Sequence, residues 1–89
     1  MISKSDLEII KKISKKYGVK KVFLFGSAGK DASLAHDIDL AVEGIDPKLF
    51  FKFGGELYLN LSKPVDLVDL SVENKITQLI KREAVLIYG

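Results

Sequence analysis

Cysteine and tryptophan are absent from this 89-residue chain, histidine and methionine occur once each, and proline only twice. Without cysteine there are no disulfides and no thiolate metal sites. A single histidine, His36, leaves no ligand set for a structural zinc within the chain. No apolar run approaches the roughly 18 residues expected of a membrane span. The opening MISKSDLEII lacks the charged-then-apolar order of a signal peptide. A cytoplasmic location with no membrane partner is therefore the expectation. No repeat, linker or low-complexity segment interrupts residues 1–89, so one domain with a modest core is expected. An apolar content of 47% suits a packed core and argues against disorder.

The formal charge of +2 hides an asymmetry. Residues 1–21 carry seven lysines against Asp6 and Glu8, net +5, whereas residues 22–89 are net −3. The basic segment could face an anionic partner. A solvated lysine-rich helix face is the plainer reading and carries more weight.

Hydrophobic periodicity orders the elements as α-β-(α)-β-α-β-α-β. Ser3 or Ser5 can cap a first helix, with Leu7, Ile9, Ile10, Ile13 and Tyr17 as its apolar stripe and Gly18 as its stop. Residues 21–25, KVFLF, predict a central strand covered on both sides. Residues 27–34 predict one or two loose helical turns. Residues 37–43 alternate, with Ile38, Leu40 and Val42 on one face and Asp37, Asp39, Ala41 and Glu43 on the other. Asp46-Pro47 signals a helix from 47 to about 62, with Leu49, Phe50, Phe53, Leu57 and Leu61 on its apolar side. Gly54-Gly55 inside it predicts a kink or a close backbone approach. Residues 64–70 predict a third strand, 71–83 a last helix through Val72, Ile76, Leu79 and Ile80, and 84–88 a closing strand. The fold class is α+β, a small mixed sheet of about four strands with helices packed on it.

Three aspartates carry the chemistry. Asp37 and Asp39 share a strand face, two residue rises or roughly 6–7 Å apart. Two carboxylates so placed repel, and a cation relieves them. Magnesium takes one or two carboxylates, waters and phosphate oxygens. Asp66 lies inside an apolar strand, where a lone carboxylate is costly to bury. If the strands 37–43 and 64–70 are neighbours, Asp66 can join the pair around two ions, an arrangement suited to in-line phosphoryl displacement. An edge carboxylate facing water is the alternative for Asp66. Asp69 has the opposite strand parity and is excluded. Gly26-Ser27 ends the first strand, where glycine lets the backbone approach an anion and following N–H groups can donate. Neither GxxxxGK[ST] nor GxGxxG is present.

GSAGKDASLAHDIDLAV followed by PVDLVDL resembles the signature of the DNA polymerase beta-like nucleotidyltransferase superfamily. Length and element order resemble its minimal nucleotidyltransferases (MNT), in particular those of antitoxin type. The resemblance implies that Gly26 and Ser27 hold a nucleoside triphosphate, ATP in the first instance. It implies that Asp37 and Asp39 bind two magnesium ions. Asp66 would complete the metal site and help activate the acceptor hydroxyl. Many minimal members are paired with a HEPN-domain ribonuclease toxin, which some neutralise by transferring AMP to a toxin tyrosine. The connection from Ser27 to Asp37 is one residue shorter than is usual in the family. Ala28-Gly29-Lys30 stands where an arginine is common, so Lys30 supplies the nearby positive charge without a bidentate fork. His36 replaces a small polar residue and reads as a loop histidine more readily than as a triphosphate contact.

The leading expectation is a magnesium-dependent nucleotidyltransferase working through a protein partner, a HEPN-like helical subunit or a second copy. Residues around 57–61 and the final strand are candidate contact surfaces. The alternative is a binding module that neutralises its partner by contact alone. Nucleic-acid binding through the first helix is weaker, because Tyr17 is the one aromatic there available for base stacking.

Overall fold

Ser3 starts the first helix: its Oγ accepts the Asp6 N–H at 3.1 Å, satisfying a donor that the helix itself leaves free. In the computed structural model, which describes residues 2–25 and 37–89, this helix is α1 (Lys4–Tyr17). Gly18 ends it in the left-handed conformation, φ 67°, that glycine adopts without strain. The chain continues through β1 (Lys21–Phe25), β2 (Ile38–Glu43), a 3-10 turn (Pro47–Leu49), α2 (Phe50–Asn60), β3 (Val65–Asp69), α3 (Lys75–Glu83) and β4 (Val85–Tyr88). Among the described residues, no helix is long and apolar enough to cross a membrane.

The four strands form one mixed sheet in the order β3-β2-β1-β4. β1 pairs antiparallel with both β2 and β4, while β2 and β3 run parallel. Parallel neighbours need a crossover, and α2 provides it. The α+β class and the mixed four-stranded sheet are as the sequence predicts.

Side-chain alternation divides the molecule into two unequal layers. On one face, Val22, Leu24, Ile38, Leu40 and Val42 pack with Ile10 and Ile13 of α1 and Phe53 and Leu57 of α2. On the other, Ala41 and Leu70 meet Ile80 of α3, with Phe23, Phe25 and Val68 partly buried beside them. β1 is thus central and apolar on both faces, as expected. Asp6 is buried as well, and its carboxylate accepts from the Ser62 backbone N–H at 3.1 Å and from the Ser62 hydroxyl. That clasp ties the start of α1 to the exit of α2.

Three expectations need correction. Residues 47–62 are not one helix. Asp46 caps a 3-10 turn by accepting the Lys48 N–H at 2.9 Å, and the α-helix begins at Phe50. Of the two outcomes foreseen at Gly54-Gly55, the kink is absent, since α2 is continuous, and the close approach holds at Gly54, which faces Leu67 of β3. Leu57 and Leu61 are buried, which removes them from any contact surface; Phe51, Tyr58 and Leu59 are the exposed apolar residues of α2. The last helix starts at Lys75, not Ser71, because Asn74 and Thr77 form a reciprocal capping box there. Its buried residues are Thr77 and Ile80, while Val72, Ile76 and Leu79 are exposed. The predicted turns at 27–34 lie outside the described residues.

Candidate active site

β2 presents Ile38, Leu40 and Val42 to the larger core, so strand parity turns Asp39 to the opposite face with Ala41. Val68 and Leu70 lie on that same face, and Asp66 shares their parity. β2 and β3 are neighbours, and their register pairs Asp39 directly with Asp66. In a parallel pair, registered residues project from the same side, so the two carboxyls share one surface. Asp37 precedes β2 by one residue and is exposed, as is Asp66; Asp39 is half-buried.

The electrostatics of Asp39 follow from this placement. Its carboxyl is raised above the ordinary aspartate value of 3.8, first by burial and then by the charges of Asp66 and Asp37. All three influences push in one direction, toward the proton-bound form. Across the other edge of β2, Phe25 is the registered partner of Asp39. It adds an apolar neighbour that the carboxylate pattern alone does not reveal. The signal was available in the antiparallel pairing, which sets the last residue of β1 against the start of β2.

The chain therefore leaves β1 beside Asp39. Gly26, Ser27, Lys30 and His36, read from the sequence as the phosphate-binding turn and its surroundings, lie outside the described residues. Asp69 turns away from this surface, and its Oδ1 accepts the Ser71 N–H at 2.9 Å. That local turn accounts for Asp69 without a catalytic role.

No histidine, aspartate and glutamate group of three or more among the described residues is close enough to hold a metal ion by itself. The donors at Asp39 and Asp66 are nonetheless hard carboxylate oxygens, and the unrelieved charge on Asp39 suits a cation. Magnesium is normally bound by one or two carboxylates together with substrate phosphates and waters rather than by a complete protein cage. On that chemistry the residues fit the ion.

Comparison with known proteins places this arrangement of strands and helices in a family. The family model described as "Polymerase beta, Nucleotidyltransferase" matches residues 8–89. A toxin–antitoxin structure with AMP-PNP is similar at TM-score 0.76 and 24% identity, over 93% of this chain and 73% of that one. The MntA–HepT toxin–antitoxin structure gives TM-score 0.73 and 22% identity, over 98% of this chain and 73% of that one. A complex of tri-AMPylated HEPN toxin with MNT antitoxin from Shewanella oneidensis gives TM-score 0.71 and 24% identity, covering 94% and 70% respectively. Among curated proteins, none matches the chain significantly.

Proposed function

Because the chain belongs to the polymerase beta nucleotidyltransferase family, we propose that it transfers a nucleoside monophosphate, AMP from ATP, to a hydroxyl of a protein partner. One observation carries this reading most directly: the parallel register that sets Asp39 against Asp66, with Asp37 just ahead of them. Of the similar structures, one is a toxin–antitoxin with AMP-PNP and another holds an AMPylated HEPN toxin. A HEPN-like helical protein carrying an acceptor tyrosine is accordingly the proposed partner.

In this reading the Gly26-Ser27 turn and Lys30 receive the triphosphate. Asp37, Asp39 and Asp66 would hold two magnesium ions, which supply charge neutralisation of the triphosphate when bound. The acceptor oxygen attacks the α-phosphorus as Asp66 takes the hydroxyl proton. A new O–P bond forms, the bond between the α-phosphorus and its bridging oxygen breaks, and pyrophosphate leaves. The side chains contribute position and charge, and no covalent enzyme intermediate is needed.

Incubation with labelled ATP, magnesium and a HEPN-type partner tests the proposal. Wild type labels the partner, and Asp39→Ala slows transfer roughly 10²-fold or more, the scale for losing a group that stabilises transition-state charge. Equal labelling by the two proteins rejects the reading. A second reading, neutralisation by contact alone, is favoured by the Ser27–Asp37 connection, one residue shorter than is usual in the family, and by Ala28-Gly29-Lys30 standing where an arginine is common. Asp37→Ala and Asp66→Ala then leave partner neutralisation intact while no label is transferred.

A further inference from the structure

The face of the sheet opposite Asp39 and Asp66 carries a second feature. An open groove of about 300 Å³ lies between α1 and α2, lined by Ile9, Lys12, Ile13, Lys16, Glu56 and Asn60. Residues 9, 12, 13 and 16 share one helix face by their three- and four-residue spacing. Ile13 is buried and Ile9 half-buried, which makes the floor apolar, while Lys12 and Lys16 are exposed and form the rim.

Lysines accumulate along α1, with Lys12 and Lys16 lining the groove and Lys11 and Lys15 outside it. Lys11 and Lys15, and likewise Lys12 and Lys16, stand four apart on α1. Like charges at that spacing destabilise a helix. Only Lys16 gains relief, from Glu56 at 2.9 Å; Lys11, Lys12 and Lys15 have no ion-pair partner among the described residues. The acids of α1 offer little compensation. Asp6 is buried and occupied by Ser62, leaving Glu8 as the exposed carboxylate of the helix. Glu56, the acid within the groove, also accepts the Tyr17 hydroxyl at 3.1 Å.

We propose that the groove between α1 and α2 docks an acidic amphipathic helix of a protein partner. An apolar floor between charged ridges suits the helix-in-groove mode, in which apolar anchors enter the groove and the flanks set specificity by charge. The occupant's glutamates or aspartates would meet Lys12 and Lys16, and its apolar residues Ile9 and Ile13. A small molecule is a poorer occupant, because the groove is open and at the lower limit of volume for such sites. Single-stranded nucleic acid lacks a stacking platform here: Tyr17 is edge-packed on Phe53 at 5.6 Å and hydrogen-bonded to Glu56. From the preceding reading this proposal takes only the existence of a protein partner, since its residues lie on the other face from the acids.

Fluorescence anisotropy with a labelled, stapled helical peptide tests it, with leucines at i, i+3, i+4 and i+7 and glutamates elsewhere. Binding is expected to weaken with added salt and to fall roughly tenfold in Lys12→Glu, as for loss of a complementary interfacial charge. Lys12 is exposed and unpaired, so the variant keeps its fold, which circular dichroism verifies. Lys75→Glu on α3 changes the charge equally and is expected to leave binding within about twofold, as for an exposed charge outside the interface. Asp39→Asn is expected to bind the peptide like wild type while losing nucleotidyl transfer, which separates failure of this proposal from failure of the catalytic one. Equal weakening by Lys75→Glu and Lys12→Glu, equal binding of a glutamate peptide without leucines, or tighter binding of an oligouridine than of the peptide each overturns it.

Discussion

Asp39 is held in a surrounding that favours its protonated form, and the consequence is measurable without any knowledge of the substrate. Folding raises this carboxyl through burial and through Asp66 and Asp37, so the native chain binds the proton more tightly than the unfolded chain. The resulting penalty is absent below the unfolded value of 3.8 and complete above the raised native one. Stability attributable to Asp39 therefore falls as pH rises through that window. At pH 7 without divalent cations, Asp39→Asn is expected to melt at a higher temperature than wild type, with the gap closing as pH approaches 3.8. Magnesium chloride should raise the melting temperature of wild type more than that of the variant. A variant that melts lower at pH 7, or an equal magnesium response, contradicts this account. Asp6 is the counter-example among the buried acids. Local pattern identifies it as a favourable first-turn residue, but its actual partner is Ser62, far along the chain, and no local pattern contains that contact.

Element boundaries were legible where a single local device sets them. Ser3 and Gly18 close α1, and Asp46 caps the 3-10 turn that starts at Pro47, as their residue types dictate. α3 was less legible because two stripes compete on nine residues. Ile76, Leu79 and Ile80 form the more apolar one, yet the structure buries Thr77 and Ile80 and sets Ala84 beside the same small cluster. The Asn74–Thr77 capping box and the immediate entry into β4 fix the rotation of the helix, and hydrophobicity is subordinate to them. In α2 the two glycines differ in a way the sequence could not show. A Cβ at Gly55 meets nothing within 4 Å, whereas one at Gly54 comes to 3.3 Å from the Leu67 side chain. Gly55→Ala is thus expected to stabilise the protein by about 0.5–1 kcal/mol through reduced unfolded-state freedom and better helix propensity. Gly54→Ala should gain less, because Leu67 must shift to admit the methyl group. Urea unfolding of both variants decides the matter, and an equal gain would falsify the assigned contact.

At the scale of the whole molecule, the sheet separates a thick layer from a thin one. Parity within β1, β2 and β3 made the two faces legible, and a crossover helix made the parallel pairing of β2 with β3 natural. The position of β4 at the edge beside β1 was not legible, because long-range pairing has no local signature. The α1–α2 layer buries Phe53, Ile10 and Leu57 completely, whereas the α3 layer rests on Ala41, Leu70 and Ile80. Few buried apolar contacts mean a low free energy of local opening, so α3 should open before the other helices. Native-state hydrogen exchange is expected to show Leu79 and Ile80 amides exchanging through a lower-energy opening than those of Leu40 and Val42. Leu57→Ala should cost toward the upper end of the usual range of about 2–5 kcal/mol, and Ile80→Ala toward its lower end, because the thinner layer has less packing to lose. Ile80→Ala should also bring forward exchange in α3 while leaving β1 and β2 protected relative to global unfolding. If α3 instead exchanges only with global unfolding, the two layers form one cooperative unit and the acid-bearing face is as rigid as the core behind it.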